Sequence, residues 1–258
     1  MQVRSLIAAA PGRYYPSPMQ TLGRIALVTG GAHRVGRAIS LALADAGCDV
    51  VVNYNNSGAD AAATAAAIEE RGRSALAVQA DVSRPENIER LMRAAEDAFG
   101  RLDIVVNSAS LFERLPFAEV REEDWDRVLG VNLKAPFFVA QGAAPLLRRG
   151  DGGVIVNIAD LSALQPWPSF AHHAVSKAGL LHLTRVLARA LAPDIRVNSI
   201  TPGTVLPPEN TEGEDGSERR LVERGGAPDD VTRALLYLIE SDFVTGENLI
   251  VDGGRLLL

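Results

Sequence analysis

The sequence predicts one α/β domain built on a doubly wound parallel sheet of about seven strands, with helices on both faces. Short β-branched runs such as "IALVTG" and "LDIVVN" are separated by segments of helical period. The apolar runs do not alternate with polar residues, which is typical of strands covered on both faces. Because strand, helix and strand follow one another at this spacing, we expect parallel pairing with right-handed crossovers.

The elements follow in a regular order along the chain. The apolar runs predict strands at IALVTG, DVVVN, ALAVQAD, LDIVVN, GVIVNIA, IRVNSI and NLIVDGG. Between them we expect helices near residues 34–46, 58–72, 85–99, 124–149, 170–191 and 228–239. The second helix is rich in alanine, the strongest helix former, and Pro85 suits the first turn of the third. No linker or repeat interrupts the series, which indicates a single domain.

Two segments depart from this rhythm. Residues 1–20 hold two arginines, three prolines and no acidic residue, and their apolar stretch is shorter than a secretory core of about 7–15 residues. We interpret them as an extension in front of a domain that spans residues 21–258, with a weak targeting peptide as the alternative. Residues 203–226 are rich in Gly, Pro and Glu and follow the sixth strand, beyond which ligands bind in open α/β sheets. They are predicted to form a substrate lid, with a disordered surface insertion as the alternative.

Composition excludes several classes of function. The net charge is −6, whereas nucleic-acid-binding surfaces are usually basic. The longest apolar runs are far short of the roughly 18–20 residues that span a bilayer. The single cysteine, Cys48, rules out an internal disulfide and fits a reducing cytosol. The four histidines show no H-x-x-x-H spacing, so we expect no zinc site. The sequence thus predicts a cytoplasmic protein that acts on a small molecule.

A glycine-rich turn follows the first strand. In "LVTGGAHRVGRAI", Gly30 and Gly31 allow a tight turn, and Gly36 permits close packing of the helix that follows. The N-terminus of that helix offers unpaired N–H groups and a partial positive charge to phosphates. Strand, glycine turn and helix together predict a dinucleotide-binding loop.

These motifs resemble those of the short-chain dehydrogenases/reductases. Thr29, Gly30 and Gly36 match the phosphate loop of that family, with Arg34 at the position of its middle glycine. The resemblance extends to "NSAS" (107–110), "VNLKAPFF" (131–138), "SKAG" (176–179) and "TPG" (201–203). It implies a Rossmann-type fold, a nicotinamide cofactor and a homodimer or homotetramer. The implied cofactor-binding residues are Thr29, Gly30, His33, Arg34, Val35, Gly36, Asn55, Asn56, Ser57, Asp81, Val82, Asn107, Ala109, Lys177, Pro202 and Gly203.

The end of the second strand bears on the choice of cofactor. An acidic residue there would bind the ribose hydroxyls of NAD and repel a 2′-phosphate. The segment here is "NYNNSG", without an acid, and the side chains of Asn55, Asn56 and Ser57 can donate hydrogen bonds to a phosphate. We therefore expect NADP(H) in preference to NAD(H).

The resemblance also implies catalytic residues, with two departures. In the family a lysine binds the nicotinamide ribose and lowers the pKa of a tyrosine, a serine 13 residues earlier polarises the substrate, and a helical asparagine orders water. Lys177 and Asn132 match this pattern. The serine position is Asp160, and the tyrosine position is His173. We expect Asp160 and His173 to form a proton relay, because an imidazole beside a carboxylate can remain partly protonated.

Asp160 directs attention to the pteridine reductases, a branch of the family that has aspartate at this position. That branch also has an arginine at the Arg34 position and a phenylalanine that covers the pterin, here Phe112. The resemblance implies a pterin-like substrate, or a related C=N or C=O compound. Its predicted contacts are Arg34, Ser110, Phe112, Asp160 and His173. The alternatives are a 3-oxoacyl-thioester ketoreductase and a protein that binds the cofactor but has lost its proton donor.

Overall fold

The computed structural model describes residues 19–206 and 220–258. All but the last two residues of the predicted N-terminal extension lie outside the described residues, as does the middle of the predicted lid, residues 207–219. The described ends of that lid contain neither helix nor strand.

The described strands form one parallel sheet in the order β3-β2-β1-β4-β5-β6-β7. The strands are β1 Ile25–Thr29, β2 Asp49–Tyr54, β3 Ala75–Gln79, β4 Ile104–Asn107, β5 Gly153–Ile158, β6 Ile195–Pro202 and β7 Asn248–Val251. The direction of winding reverses between β1 and β4, and this reversal opens a crevice at the carboxyl ends of the two strands. The prediction of a doubly wound sheet of about seven strands is confirmed.

Helices cover both faces of the sheet. They are α1 Arg34–Asp45, α2 Gly58–Glu69, α3 Pro85–Phe99, α4 Glu122–Leu129, α5 Ala135–Leu147, α6 Ala171–Leu191 and α7 Pro228–Glu240. Along the described chain, no helix combines the length and the apolar character needed to cross a membrane.

The helix predicted over residues 124–149 is present, but a π-helical turn inside it was not predicted. A π-helical turn, Gly130–Lys134, separates α4 from α5. Pro136 has no N–H and cannot donate the α-helical hydrogen bond to the carbonyl of Asn132, four residues earlier. The wider turn accommodates that missing bond and contains Asn132 itself. Such turns are frequent at functional sites.

Two hydrophobic cores lie on opposite faces of the sheet because successive strand residues point to opposite sides. Leu27 and Val105 pack into the core that includes residues of α3 and α5. Val28 and Val106 pack into the core that includes residues of α1, α2 and α7. All four side chains are fully buried, which explains why these strands show no polar alternation. The rigid sheet thereby holds the loops at its carboxyl edge.

Candidate active site

The glycine loop after β1 is packed too tightly for any other residue at two positions. A Cβ atom on Gly30 would lie 2.8 Å from the Cα atom of Ala109. A Cβ atom on Gly36 would lie 2.0 Å from the carbonyl oxygen of Gly30. Distances this short do not occur in folded proteins, so glycine alone fits. The backbone of the loop therefore remains uncovered at the N-terminus of α1, where a phosphate can approach the N–H groups.

Arg34 is the one non-glycine residue with a positive φ among the residues that the structure describes, with φ of +52°. This left-handed conformation costs a side-chain-bearing residue about 1 kcal/mol, and it explains why the resembling family has glycine at this position. Strain of this kind collects at ligand-binding sites. His33, the N-cap of α1, is exposed next to it, and Val35 packs against the core of α1.

Hydrogen bonds fix the loop to its neighbours. The Thr29 hydroxyl oxygen accepts from the N–H groups of Ser108 and Ala109, at 3.1 and 3.2 Å. Asn53, which the sequence analysis missed, receives the N–H of Gly30 on its side chain and the N–H of Gly31 on its carbonyl. A buried polar residue at the end of an otherwise apolar strand was the available signal for Asn53.

The predicted adenosine-binding residues lie along the same edge of the sheet. Asn55 and Asn56 are exposed just beyond β2, and Ser57 follows them at the start of α2. Beyond β3, the carboxylate of Asp81 accepts the Ser83 N–H at 2.9 Å, and the Val82 side chain is buried. At the end of β6 stand Pro202 and Gly203. The carboxyl ends of these strands therefore bring the predicted residues to one crevice.

Two buried polar atoms point to the nicotinamide half of a dinucleotide. The side-chain oxygen of Asn107, at the end of β4, is buried and has no hydrogen-bond partner among the described residues. The Nζ atom of Lys177 donates to the carbonyl of Ile158 at 2.9 Å, and its other N–H groups remain for a ribose. Burial lowers the pKa of Lys177, and the charge of Asp160 opposes that change. The residues present fit a nicotinamide dinucleotide.

Asp160 and His173 meet as the spacing predicts. The Nε2 atom of His173 lies 2.6 Å from the Oδ2 atom of Asp160. The His173 side chain is only 1% exposed, whereas that of Asp160 is 23% exposed. Both residues were predicted to contact the substrate, but the structure places the imidazole behind the carboxylate. The carboxylate is the member of the pair that reaches the crevice.

The second ring nitrogen of His173 faces the loop after β4. Its Nδ1 atom lies 2.9 Å from the carbonyl oxygen of Leu111 and 3.2 Å from the Nδ2 atom of Asn132. Asn132 is held in one orientation because it accepts the Leu111 N–H and donates to the Leu111 carbonyl and to the Ser176 hydroxyl. Both Nδ2 hydrogens of Asn132 are thus directed at oxygens, so Nδ1 of His173 is assigned as the donor to Leu111.

This assignment leaves a second proton between His173 and Asp160. Burial raises the pKa of Asp160, but the hydrogen bond from His173 and the charge of Lys177 outweigh burial and lower it to about 2. Asp160 is therefore ionised at neutral pH, and its Oδ2 atom is the acceptor in the 2.6 Å contact with Nε2 of His173. This contact lies beside the buried side chain of Lys177.

Three aromatic rings line the crevice beside this pair. Phe112 is 49% exposed, and its ring lies edge-on to the imidazole of His173, with centroids 4.8 Å apart. One face of Phe112 stacks on Phe170 at 4.5 Å, and Trp167 contacts it edge-on at 6.4 Å. Phe112 therefore has one face covered by protein. Ser110 is exposed on the same loop.

Several residues of the site were not predicted from the sequence. Phe170 and Trp167 carried no motif. The Leu111 carbonyl belongs to the backbone, which has no side-chain signal. Ser162 could have been found, because a hydroxyl two residues after an aspartate often bonds its carboxylate. In the chain as described, no three His, Cys, Asp or Glu side chains lie close enough to hold a metal ion.

Comparisons with known proteins agree with this fold. A family model described as enoyl-(acyl carrier protein) reductase matches residues 30–255. The chain is 40% identical over 246 residues to 3beta-hydroxysteroid dehydrogenase 1 of Eggerthella lenta, with 91% of this chain and 94% of that protein covered. It is 32% identical to the 3-oxoacyl-[acyl-carrier-protein] reductase of Synechocystis sp., with 91% and 97% covered. A blue fluorescent protein from a metagenomic library, solved in complex with NADPH, superimposes with a TM-score of 0.85 at 32% identity, with 92% and 99% covered.

Proposed function

The chain belongs to the short-chain dehydrogenase/reductase family, and on that premise we propose that it is an NADP-dependent reductase whose proton donor is the pair formed by Asp160 and His173. The observation that carries the proposal is the 2.6 Å contact between Nε2 of His173 and Oδ2 of Asp160. A bound nicotinamide cofactor supplies the hydride in enzymes of this kind. The protein must then supply the proton and position the substrate.

The residues of the chain divide this work. The loop from Gly30 to Gly36 binds the pyrophosphate, and Lys177 binds the ribose. Asp160 presents the stored proton to the substrate atom on which negative charge develops. When that proton has left, the lone pair of Nε2 in His173 faces the carboxylate, and this repulsion favours uptake of a new proton from solvent. A tyrosine hydroxyl is not needed for this cycle, although its absence is expected to lower the rate.

The preference for NADP rests on the end of β2. No acidic side chain stands among residues 53–57 to repel a 2′-phosphate. NADPH should therefore bind more tightly than NADH when the protein is titrated and intrinsic fluorescence is followed. Asn56→Asp should reverse the order, whereas Gln141→Glu, an equal charge change on the exposed side of α5, should not. Equal affinities in the parent protein would contradict the preference.

A pterin-like compound, with a C=N or C=O group in a flat ring, is the proposed substrate. The uncovered face of Phe112 offers a stacking surface next to His173. Arg34 is the candidate for contact with the polar edge of the ring, through its planar guanidinium. The nitrogen of a C=N group is also more basic than the oxygen of a ketone, so it can take a proton before the hydride arrives, which suits a carboxylate–imidazole donor.

The second candidate is reduction of a ketone, which the names of two relatives support. The 3-oxoacyl reductase and the hydroxysteroid dehydrogenase both interconvert a carbonyl and an alcohol by name. One panel separates the candidates: NADPH oxidation with a dihydropterin, a 3-oxoacyl thioester and a 3-ketosteroid. Turnover of the dihydropterin supports the first proposal, and turnover of either ketone alone supports the second.

The panel also tests a third possibility, a cofactor-binding protein that has lost its donor. That protein would bind NADPH but would not oxidise it with any compound of the panel. The variant His173→Tyr gives a second test. Activity that appears only in this variant would show that the parent protein has lost its proton donor. Loss of an existing activity would support the proposed pair of Asp160 and His173.

We also propose that the protein is a homodimer or homotetramer. Trp125 in α4, Phe137 in α5 and two valines of α6, Val175 and Val186, are substantially exposed in the single chain. A helix that is apolar on more than one side needs partners on more than one side. Light scattering coupled to size-exclusion chromatography measures the mass directly, and a monomeric mass would contradict this proposal.

A further inference from the structure

Ser162 binds one oxygen of the Asp160 carboxylate at two points. Its backbone N–H donates to Oδ1 at 2.9 Å, and its hydroxyl donates to the same oxygen at 2.5 Å. Ser162 is the middle residue of the short 3-10 turn Leu161–Ala163 that follows β5, with Asp160 as the N-cap of that turn. The Ser162 side chain is itself buried. It is therefore a fixed part of the protein rather than a group that a substrate would reach.

The two oxygens of Asp160 consequently have different tasks. Oδ1 is engaged by both donors of Ser162, so its lone pairs are in use. Oδ2 accepts from Nε2 of His173 and keeps a second lone pair. Because the carboxylate is part of the exposed surface of the crevice, Oδ2 is the oxygen available to a substrate.

At its other end the pair is held by the backbone. The Leu111 carbonyl accepts from Nδ1 of His173, and Asn132 aligns that carbonyl. The proton that can move is therefore the one on Nε2, since the proton on Nδ1 already has a partner. The described charged and titratable groups around the carboxylate are His173 and Lys177, both on α6, and His172 lies next to His173.

We infer that Ser162 is a positioning residue for the proton donor: by binding Oδ1 of Asp160 it leaves Oδ2 as the one oxygen that receives the proton of His173 and passes it to the substrate. The N–H bond at Nε2 breaks as an O–H bond forms at Oδ2. That O–H bond then breaks as a new O–H or N–H bond forms on the substrate, whose carbon receives the hydride. The imidazole is left neutral and the carboxylate is restored. The inference rests on the proposed function, and nothing in the family resemblance assigns a role to Ser162.

The test compares Ser162→Ala with Ser199→Ala. Ser199 is also a buried serine with hydrogen bonds, but it lies within β6, outside the site. Two quantities are measured: the pH midpoint of the Asp160 carboxyl carbon by ¹³C NMR, assigned by its loss in Asp160→Asn, and kcat with KM on the substrate found in the panel.

We expect the Ser162→Ala midpoint to move to higher pH, because the lost hydroxyl stabilised the ionised carboxylate. We expect kcat to fall about 10-fold, the usual worth of a hydrogen bond to a charged group, with KM unchanged. Ser199→Ala should leave both quantities at the parent values. A change in only one of the two quantities, or in neither, overturns the inference.

The test remains decisive if Ser162→Ala does not fold or if the parent protein is inactive. If Ser162→Ala does not fold, Ser162→Gly also removes the hydroxyl and keeps the N–H, and the same criteria apply to it. If the parent protein turns over no substrate, the proposed function fails. The binding of Oδ1 by Ser162 is then decided by the NMR midpoint alone, in a protein without substrate or cofactor.

Discussion

Two aspartates at opposite ends of the sheet show two uses of a carboxylate. Asp103, at the amino end of β4, has a side chain with no exposure and accepts hydrogen bonds from Arg24, Arg101 and the N–H of Ile25, at 3.0, 3.1 and 2.9 Å. Asp160, at the carboxyl end of β5, is partly exposed and is bound to an imidazole.

The difference lies in the partners. A guanidinium is never deprotonated in a protein, so the charge pair around Asp103 is permanent and serves to join β1 to β4. An imidazole changes its charge near neutral pH, so the partner of Asp160 has a proton to give. Under the proposed function, the amino end of the sheet serves stability and the carboxyl end serves proton transfer. The predictions below test that division in order of expected effect.

The largest effect is expected from Asp160→Asn. An amide cannot take the proton from His173 and pass it on, so kcat should fall about 10³-fold, within the range for general acid catalysis. The affinity for NADPH should remain, because the glycine loop is unchanged. Steady-state kinetics and a cofactor titration measure both. Asp126→Asn, on an exposed position of α4, is the matched control. Activity within a few-fold of the parent would mean that Asp160 is structural, as Asp103 is.

Asp103→Asn should act on stability instead. It removes the charge that compensates Arg24 and Arg101 and should lower the free energy of unfolding by about 3 kcal/mol. Denaturant titration measures the loss, and kcat should be retained in the folded protein. Asp151→Asn is the control, since Asp151 also approaches Arg24, at 3.9 Å, but is 95% exposed. That control should change stability by less than about 1 kcal/mol. Equal losses in the two variants would contradict the division.

His172, near the carboxyl end of the sheet, should make the free energy of unfolding depend on pH. The side chain is fully buried on α6, and neither ring nitrogen has a partner among the described residues. Burial lowers the pKa of His172 below its ordinary value of 6.5. The unfolded chain therefore binds the proton first, and stability falls as the pH drops below 6.5.

His172→Leu should remove this dependence and raise stability by about 1 kcal/mol below that pH, because an unpaired buried polar group is eliminated. Denaturant titrations on both sides of pH 6.5 measure the difference from the parent protein. His182→Leu, at an exposed position of the same helix, should retain the parent pH dependence. If both variants show the pH dependence of the parent protein, protonation of His172 does not affect the free energy of unfolding, and this prediction is wrong.

The smallest effect is expected at Cys48, at the amino end of β2. Its side chain is fully buried, and burial, with the charge of Asp103, raises the thiol pKa to about 12. The folded protein should not react with a thiol reagent at neutral pH, whereas the denatured protein should react fully. If the thiol of Cys48 reacted as fast in the folded protein as in the denatured protein, the amino end of the sheet would also contain a reactive group.

Sequence periodicity was sufficient for the fold, because strands without polar alternation indicated burial on both faces. The candidate site residues came from the family resemblance, which implied that Asp160 and His173, 13 residues apart, act together. The burial of His173 was not predictable, because the exposure of an imidazole depends on how loops distant in sequence pack over it. The Leu111 carbonyl illustrates this, since a backbone oxygen gains its role from folding alone. The π turn at Gly130–Lys134 was not predictable from proline alone, because Pro145 lies inside α5 without such a turn.

That π turn has a consequence for engineering. It contains one residue more than regular α-helical winding requires. Deleting one residue from it would return this segment to regular α-helical winding, so α4 and α5 would keep their packing, whereas the amide of Asn132 would turn away from its partner Ser176. Shortening the chain is a common route to heat-resistant variants, but we expect shortening here to lower kcat while the sheet and the glycine loop keep their structure.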